Sequence, residues 1–185
     1  MAMAASQLRK PRPPLDAAKL EELAISYVGR FATSAAKLRA YLLRKLRERG
    51  WAGPGEPPVE MLADRLTQLG YIDDCAYALA KARSLGARGF GRGRVRQALA
   101  QAGISEENSG EANDLAAVQA YEAALRFARR RSFGPFAAAK PDLKSRERAI
   151  AAMIRAGHEF GMARAIIDLA PGEFPDCGET SNISF

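Results

Sequence analysis

The segment Val95-Arg96-Gln97-Ala98-Leu99-Ala100-Gln101-Ala102-Gly103-Ile104 decides the fold, because it combines a helix with the signal that ends it. Val95 and Leu99 lie on one helical face, and a glycine one turn later can adopt the left-handed conformation of a helix C-terminus. The pattern recurs as Leu42-x3-Leu46-x3-Gly50-Trp51 and, in degenerate form, as Ala149-x3-Met153-x3-Gly157-His158. We therefore expect one helical unit used three times, which usually provides an extended binding surface rather than a reaction site.

Helical periodicity continues along the rest of the chain. Apolar residues at spacings of three and four predict helices, and Thr33-Ser34 and Asp73-Asp74 provide helix-start signals. The loop at 53–58 contains three prolines and two glycines. Ser105-Glu106-Glu107 provides another helix-start signal, although Asn108-Ser109-Gly110 predicts that the helix at 105–112 is short or irregular. No period-two strand pattern occurs, so the predicted fold class is all-α. The predicted helices with defined bounds span 15–31, 35–49, 59–69, 113–131, 144–156 and 159–169. A further helix begins at about residue 74, and another follows the glycine-rich turn at 86–93.

Composition favours an anionic partner. The 185-residue chain has 28 Lys and Arg against 21 Asp and Glu, which gives a formal charge of +7 and a pI near 9.7. Nucleic acid, an acidic protein surface and anionic lipid all fit this charge. No stretch approaches the roughly 18 apolar residues that span a membrane, and the two cysteines suggest no disulfide framework, so we expect a cytoplasmic protein without membrane contact. Residues 1–14 are predicted to form a flexible arm and residues 171–185 an acidic tail.

Two segments resemble the signature of the RecX family of recombinase regulators. The first is Leu66-Thr67-Gln68-Leu69-Gly70-Tyr71-Ile72-Asp73-Asp74, followed by Tyr77-Ala78. The second is Gly91-Arg92-Gly93-Arg94-Val95-Arg96-Gln97-Ala98-Leu99, which continues into Ala102-Gly103-Ile104. With looser matches on either side, the resemblance spans roughly residues 16–170. It implies an elongated, curved protein of three tandem three-helix repeats, which we place at 15–72, 73–112 and 113–170.

The resemblance also implies a function. Members of the family bind the filament that the RecA recombinase forms on single-stranded DNA and lie in its helical groove. They restrain strand exchange, ATP turnover and repressor co-cleavage, and so regulate DNA repair and the SOS response. The expected partner is therefore a RecA filament, with direct contact to single-stranded or double-stranded DNA as an addition. We expect a monomer whose repeats contact successive filament subunits, so that weak contacts add up.

Three runs of basic residues are the candidate binding residues. Runs at comparable places in successive repeats could line one groove and contact phosphates or acidic protein, although a single run is usually a solvated helix face. Arg92, Arg94 and Arg96 stand out because the neighbouring glycines permit close backbone approach to a partner; alternatively, those glycines only shape a turn. The candidates are Lys37, Arg39, Arg44, Lys45, Arg88, Arg92, Arg94, Arg96, Arg129, Arg130, Lys144, Arg146 and Arg148.

No motif predicts catalysis, a metal or a cofactor. His158 is the only histidine, and its position predicts helix-end packing or capping. Cys75 lies in no CxxC pair and is expected to be a half-buried helical residue. Trp51 and Phe90 could stack on bases, although Trp51 is expected to pack on its own repeat. We therefore expect a non-enzymatic protein.

Two alternatives remain open at the level of sequence. The first is a DNA-binding helical protein such as a small transcription factor, because three-helix units resemble DNA-binding folds. The second is a purely protein-binding scaffold without DNA contact. A requirement for the filament, rather than for naked DNA, distinguishes the recombinase regulator from both.

Overall fold

A computed structural model describes residues 12–173 of the chain. Residues 1–11 of the predicted arm and residues 174–185 of the predicted acidic tail lie outside the described part. Within it the regular structure is helical, apart from one isolated backbone bridge, so the predicted all-α fold class is confirmed. The chain divides into two compact units, one ending at Asp73 and the other beginning at Asp74.

The N-terminal unit contains three helices around one apolar core. They are α1 (Ala17–Val28), α2 (Ala35–Arg49) and α3 (Val59–Gln68). The start signal predicted before α2 is confirmed, because the Ser34 hydroxyl accepts a hydrogen bond from the Lys37 amide at 3.2 Å. The buried residues of the three helices form a single cluster that includes Leu20, Leu38, Leu42, Leu62 and Leu66.

The first helix begins later than predicted. Asp16 caps α1 by accepting from the Lys19 amide at 2.8 Å, so Leu15 precedes the helix. Leu15 instead pairs with the backbone around Trp51, where its amide donates to Gly50 O and its carbonyl accepts from Ala52 N. The fully buried Leu15 side chain thereby joins the core of this unit.

The C-terminal unit contains six helices in two sets of three. The first set is α4 (Asp74–Ala87), α5 (Arg92–Gln101) and α6 (Glu106–Val118); the second is α7 (Ala120–Arg131), α8 (Leu143–Arg155) and α9 (Phe160–Asp168). Each set buries its own apolar cluster, and Phe90 packs against both. A 3-10 turn at Gly134–Phe136 connects α7 with α8.

The helix start predicted at Ser105 is confirmed, but the helix there is regular rather than short, and the single helix predicted at 113–131 is wrong because it is divided in two. Helix α6 already begins at Glu106, and the helical run breaks at Gln119, between α6 and α7. Ser105 caps α6, while the Ser109 hydroxyl donates back to Glu106 O and accepts from Asn113 Nδ2, so both serine hydroxyls are hydrogen-bonded within the helix. Packing of α6 against α4 then outweighs the weak helix propensity of this segment.

The glycine of the recurring helical pattern does end each helix. Gly103 and Gly157 have φ of 68° and 93°, and in both copies the next residue donates back to the helix: Ile104 to Leu99 O and His158 to Met153 O. This is the Schellman arrangement, so the degenerate third copy has the same geometry as the second. The first copy differs, because Gly50 ends α2 and its carbonyl then accepts from Leu15.

Candidate partner-binding surfaces

The basic residues of α2 divide into engaged and exposed positions. Arg39 lies against α3, with ion pairs to Glu60 at 2.5 Å and Asp64 at 2.8 Å. This predicted binding residue therefore joins α2 to α3, with Nη2 hydrogen-bonded to Asp64 and Nε in ion-pair contact with Glu60 without a hydrogen bond. Lys37 is half-buried in the first turn of the helix.

The last two turns of α2 carry the remaining cations of this run. Lys45 donates to Glu48 at 2.6 Å, and Arg44, whose side chain is 58% exposed, lies 3.7 Å from the same carboxylate. The hydrogen bond from Lys45 holds the pKa of Glu48 below its usual value. Arg44 is thus the most accessible of the four α2 candidates whose contacts are described.

Two runs that are separate in sequence meet at the C-terminus of α4. Arg130 of α7 donates to the Arg88 carbonyl at 2.6 Å, and Arg126, one turn earlier, donates to Gly86 O at 3.4 Å. These guanidiniums satisfy carbonyls at the end of α4, where the helix dipole favours positive charge. The Cζ atoms of Arg88 and Arg130 also lie 5.1 and 5.9 Å from the centre of the Phe90 ring. Phe90 is therefore covered by cations and half-buried, rather than presented for base stacking.

Glycines near Arg92 and Arg94 permit a close approach, but the approach is internal. Gly91 N donates to Ala156 O and Gly93 N to Gly157 O, both at 2.9 Å, so amides at the start of α5 satisfy carbonyls at the end of α8. A Cβ on Gly91 would lie 2.4 Å from Gly157 O. The glycines that are predicted to permit close approach of a partner therefore permit close packing of α5 on α8.

The arginines on this turn differ in accessibility. Arg92 is half-buried and lies 3.8 Å from Glu159, whereas Arg94 and Arg96 are exposed. Arg94 reaches only along its own helix, to Gln97 at 2.6 Å. Arg94 and Arg96 are the members of this run that remain accessible to a partner.

The third run is similarly divided. Arg146 forms a two-pronged pair with Asp168 of α9, at 2.5 and 2.7 Å, and this hydrogen bonding holds the pKa of Asp168 below its usual value. Arg129 is exposed, with its Cζ 5.0 Å from the centre of the Phe136 ring. Lys144 and Arg148 are exposed on α8.

His158, Trp51 and Cys75 have contacts that bear on the predictions for them. His158 is buried, its Nε2 lies 3.1 Å from Gly89 O, and its ring packs on Phe127, so the predicted packing role is confirmed. Trp51 packs on the core of the N-terminal unit and donates to Gly55 O at 3.0 Å, as expected. Cys75, predicted to be half-buried, is exposed, with its Sγ 3.3 Å from Asn108 Oδ1.

A group of aromatic residues in the N-terminal unit was missed from the sequence. Tyr27 and Tyr41 stack with ring centres 4.2 Å apart, and Phe31 lies beside Tyr27. Tyr27 and Tyr41 also pack partly against the core of the unit, whereas Phe31, which falls inside the predicted helix at 15–31, lies beyond the end of α1 at Val28. In the sequence, Arg30 directly precedes Phe31 and Arg44 follows Tyr41 by three residues. This pairing of arginines with aromatic residues is the signal that indicates a basic, aromatic surface, and the structure places these residues around one cleft.

The part of the chain that the structure describes has no cluster of three or more His, Cys, Asp or Glu side chains arranged to hold a metal. In the same residues, no helix combines the length and apolar character required to cross a membrane.

Comparison with known proteins identifies relatives over most of the chain. A family model described as RecX, second three-helix domain, matches residues 73–112. Regulatory protein RecX of Myxococcus xanthus (strain DK1622) is 34% identical over 161 residues, covering 82% of this chain and 86% of that protein. Regulatory protein RecX of Agrobacterium fabrum is 30% identical over 148 residues, covering 76% of this chain and 77% of that protein.

Solved structures agree at the level of the fold. The crystal structure of RecX from Lactobacillus salivarius superposes with a TM-score of 0.60 at 18% identity, covering 81% of this chain and 93% of that one. A second structure, titled crystal structure of regulatory protein RecX, gives a TM-score of 0.59 at 22% identity and covers 80% of this chain and 70% of that one.

Proposed function

The chain belongs to the RecX family of regulatory proteins, and we propose that it binds the RecA recombinase filament on single-stranded DNA and inhibits it. The observation that carries the proposal is the match to Regulatory protein RecX of Myxococcus xanthus across most of both chains. The proposed consequences are slower strand exchange, slower ATP turnover by the filament and less repressor co-cleavage, and through these the regulation of DNA repair and the SOS response.

The proposed mechanism is binding rather than chemistry. A monomer in the cytoplasm occupies the filament groove, and its helical units contact successive filament subunits. Linked contacts of modest strength then give high overall affinity, because each one after the first is effectively intramolecular. Inhibition follows when the bridged subunits cannot undergo the rearrangements that strand exchange requires.

The accessible cations support an anionic partner. Arg44 in the N-terminal unit, and Arg94, Arg96 and Arg148 in the C-terminal unit, are exposed at the protein surface. Arg39 and Arg146 support it less, because each is paired with carboxylates of a neighbouring helix. We propose that the exposed subset contacts the filament and that the paired subset maintains the fold.

A double substitution tests this division. Arg94→Gln with Arg96→Gln should raise the concentration required for half-inhibition of RecA ATP turnover roughly two- to thirtyfold, because two exposed ion pairs are lost. Strand exchange should respond in parallel, and circular dichroism should show unchanged helicity.

The control removes the same charge from the same unit. Arg83 and Arg155 are exposed and are not candidate binding residues, so Arg83→Gln with Arg155→Gln should leave half-inhibition within about twofold of the parent chain. Equal weakening by both double variants would reduce the effect to net charge and would remove Arg94 and Arg96 from the site.

A DNA-binding helical protein, such as a small transcription factor, is the alternative function. The family match does not favour it. It predicts equal binding to DNA with and without recombinase, and no effect on strand exchange.

A further inference from the structure

The N-terminal unit carries a cleft between α1 and α2 whose lining is aromatic and basic. We propose that this cleft binds single-stranded nucleic acid directly, with a base stacked on Phe31 and the backbone phosphates held by Arg30 and Arg44. The inference goes beyond the proposed regulation of the filament, since it requires no recombinase. The cleft has a volume of about 310 Å³ and is lined by Ser26, Tyr27, Arg30, Phe31, Tyr41 and Arg44.

The end of α1 positions the exposed ring. The helix ends at Val28, and the Tyr27 carbonyl accepts from both the Arg30 amide at 3.2 Å and the Phe31 amide at 3.1 Å. This tight turn directs Phe31 back beside Tyr27, with ring centres 5.4 Å apart and planes inclined by 51°. The ring is therefore held by the backbone, and a partner would meet it without first ordering a loop.

Phe31 is the ring that remains available. Tyr27 and Tyr41 are stacked on each other, at 4.2 Å with planes only 15° apart, and both are half-buried. Arg44 and Lys45 place their cationic groups 5.6 and 5.8 Å from the centre of the Tyr41 ring. Phe31, in contrast, is 57% exposed. Exposed phenyl surface at the rim of a cleft is costly in water and gains free energy when a flat apolar surface covers it.

The charges around the ring select a nucleic acid. None of the six lining residues is acidic, and two are arginines. Glu48, the carboxylate paired with Arg44 and Lys45, is not among them. An exposed aromatic ring in a cleft that also carries cations is the arrangement with which proteins bind single strands, where bases stack on rings and phosphates meet guanidiniums. In a duplex, the base faces are covered by their neighbours, so the cleft should prefer single strands.

The size of the cleft argues against a larger partner. A volume of about 310 Å³ lies at the lower end of the range for ligand sites. A nucleotide fits such a cleft, whereas a docked helix of a partner protein requires a long groove. An acidic peptide with an aromatic side chain is the competing ligand, and the experiment includes it.

The test measures binding of the full chain to a fluorescein-labelled oligo(dT) by anisotropy, without recombinase. Phe31→Ala should weaken binding about tenfold, which is the effect of losing one base–aromatic stack. Phe31→Tyr retains a ring and should retain affinity. Leu69→Ala is the matched control: Leu69 lies in the same unit, is 59% exposed, and should have no effect.

Two further arms separate stacking from charge. An oligonucleotide with abasic sites should bind more weakly, and Phe31→Ala should not weaken it further. Arg44→Gln should make the negative slope of log affinity against log salt about 0.7 less steep, the value for one phosphate contact on a single strand. Arg65→Gln should not change it, although Arg65 matches Arg44 in exposure, 60% against 58%, and also has a carboxylate partner.

The proposal is overturned if Phe31→Ala behaves as Leu69→Ala does. It is also overturned if the abasic oligonucleotide binds as tightly as oligo(dT), or if an acidic aromatic peptide binds the parent chain more tightly than oligo(dT) and loses affinity in Phe31→Ala. Since recombinase is absent, none of these results affects the proposed regulation of the filament.

Discussion

His158 is a buried titratable group at the junction of α5 and α8. Its Nε2 must donate, because Gly89 O is an acceptor, and so the neutral ring carries its proton there. Nδ1 has no hydrogen-bond partner among the described residues. Protonating Nδ1 would place a charge in a buried position beside the Phe127 ring. Burial accordingly lowers the pKa of His158 below its usual value, an effect that the hydrogen bond to Gly89 O only partly opposes.

This lowered pKa makes stability depend on pH. Because the folded chain resists protonation while the unfolded chain does not, the stabilising contribution is present above the unfolded pKa, near 6.5. It is lost as pH falls towards the lower folded value. We expect the urea midpoint of the C-terminal unit to decrease as the pH is lowered from 7.5 to 5.5. The carboxylates with lowered pKa values, such as Asp168, titrate below this window.

In the variant His158→Gln, the side-chain amide replaces the ring N–H as a donor to Gly89 O, but the side chain cannot titrate. It should be less stable at pH 7.5 and should show a flatter pH dependence, measured as urea midpoints at pH 7.5, 6.5 and 5.5. A pH dependence as steep as that of the parent chain would show that another group is responsible.

At the level of residues, the sequence predicts best those features that depend on local backbone conformation. Glycine caps and the Ser34 start signal depend on local conformation, which a short segment encodes. The roles of Arg39 and Arg146 could not be predicted, since their carboxylate partners lie on other helices. A basic run therefore indicates charge, but only tertiary structure shows which members remain accessible.

At the level of elements, the contact between α5 and α8 explains the glycine-rich turn. Amides at the start of one helix meet carbonyls at the end of another, so both helix termini are satisfied by each other. The sequence indicates a close backbone approach but not its target, because Gly91 and Gly157 are 66 residues apart in the chain. The break between α6 and α7 could not be predicted for a different reason: apolar residues at helical spacing continue through Gln119, so the pattern indicates one helix.

A pair of glycine substitutions tests the helix contact. Gly91 has φ of −79°, so alanine is tolerated by the backbone, but its Cβ would lie 2.4 Å from Gly157 O. Gly91→Ala should therefore destabilise the C-terminal unit by about 1–3 kcal/mol, measured by urea unfolding.

Gly110→Ala is the control in the same unit. Gly110 lies within α6, and a Cβ there meets nothing within 4 Å, so alanine should stabilise the helix by about 0.5–1 kcal/mol. Equal effects of the two substitutions would contradict the account of the α5–α8 contact.

At the level of the whole molecule, nine described helices form three sets of three, each with its own apolar cluster. Helical periodicity and a family signature were sufficient to predict the all-α class. The division into repeats at 15–72, 73–112 and 113–170 stays a prediction, as does the alignment of the three basic runs in one groove. Neither follows from local spacing, because both depend on how distant segments pack.

We propose that the chain as a whole recognises a RecA filament rather than DNA alone. Co-sedimentation at roughly 0.15 M salt, where exposed charges are largely screened beyond about 8 Å, tests it most directly. We expect the chain to sediment with RecA filaments on single-stranded DNA at concentrations that give little sedimentation with the same DNA alone. Phe31→Ala should preserve this difference. Equal sedimentation with filaments and with bare DNA, together with unchanged strand exchange, would contradict the claim.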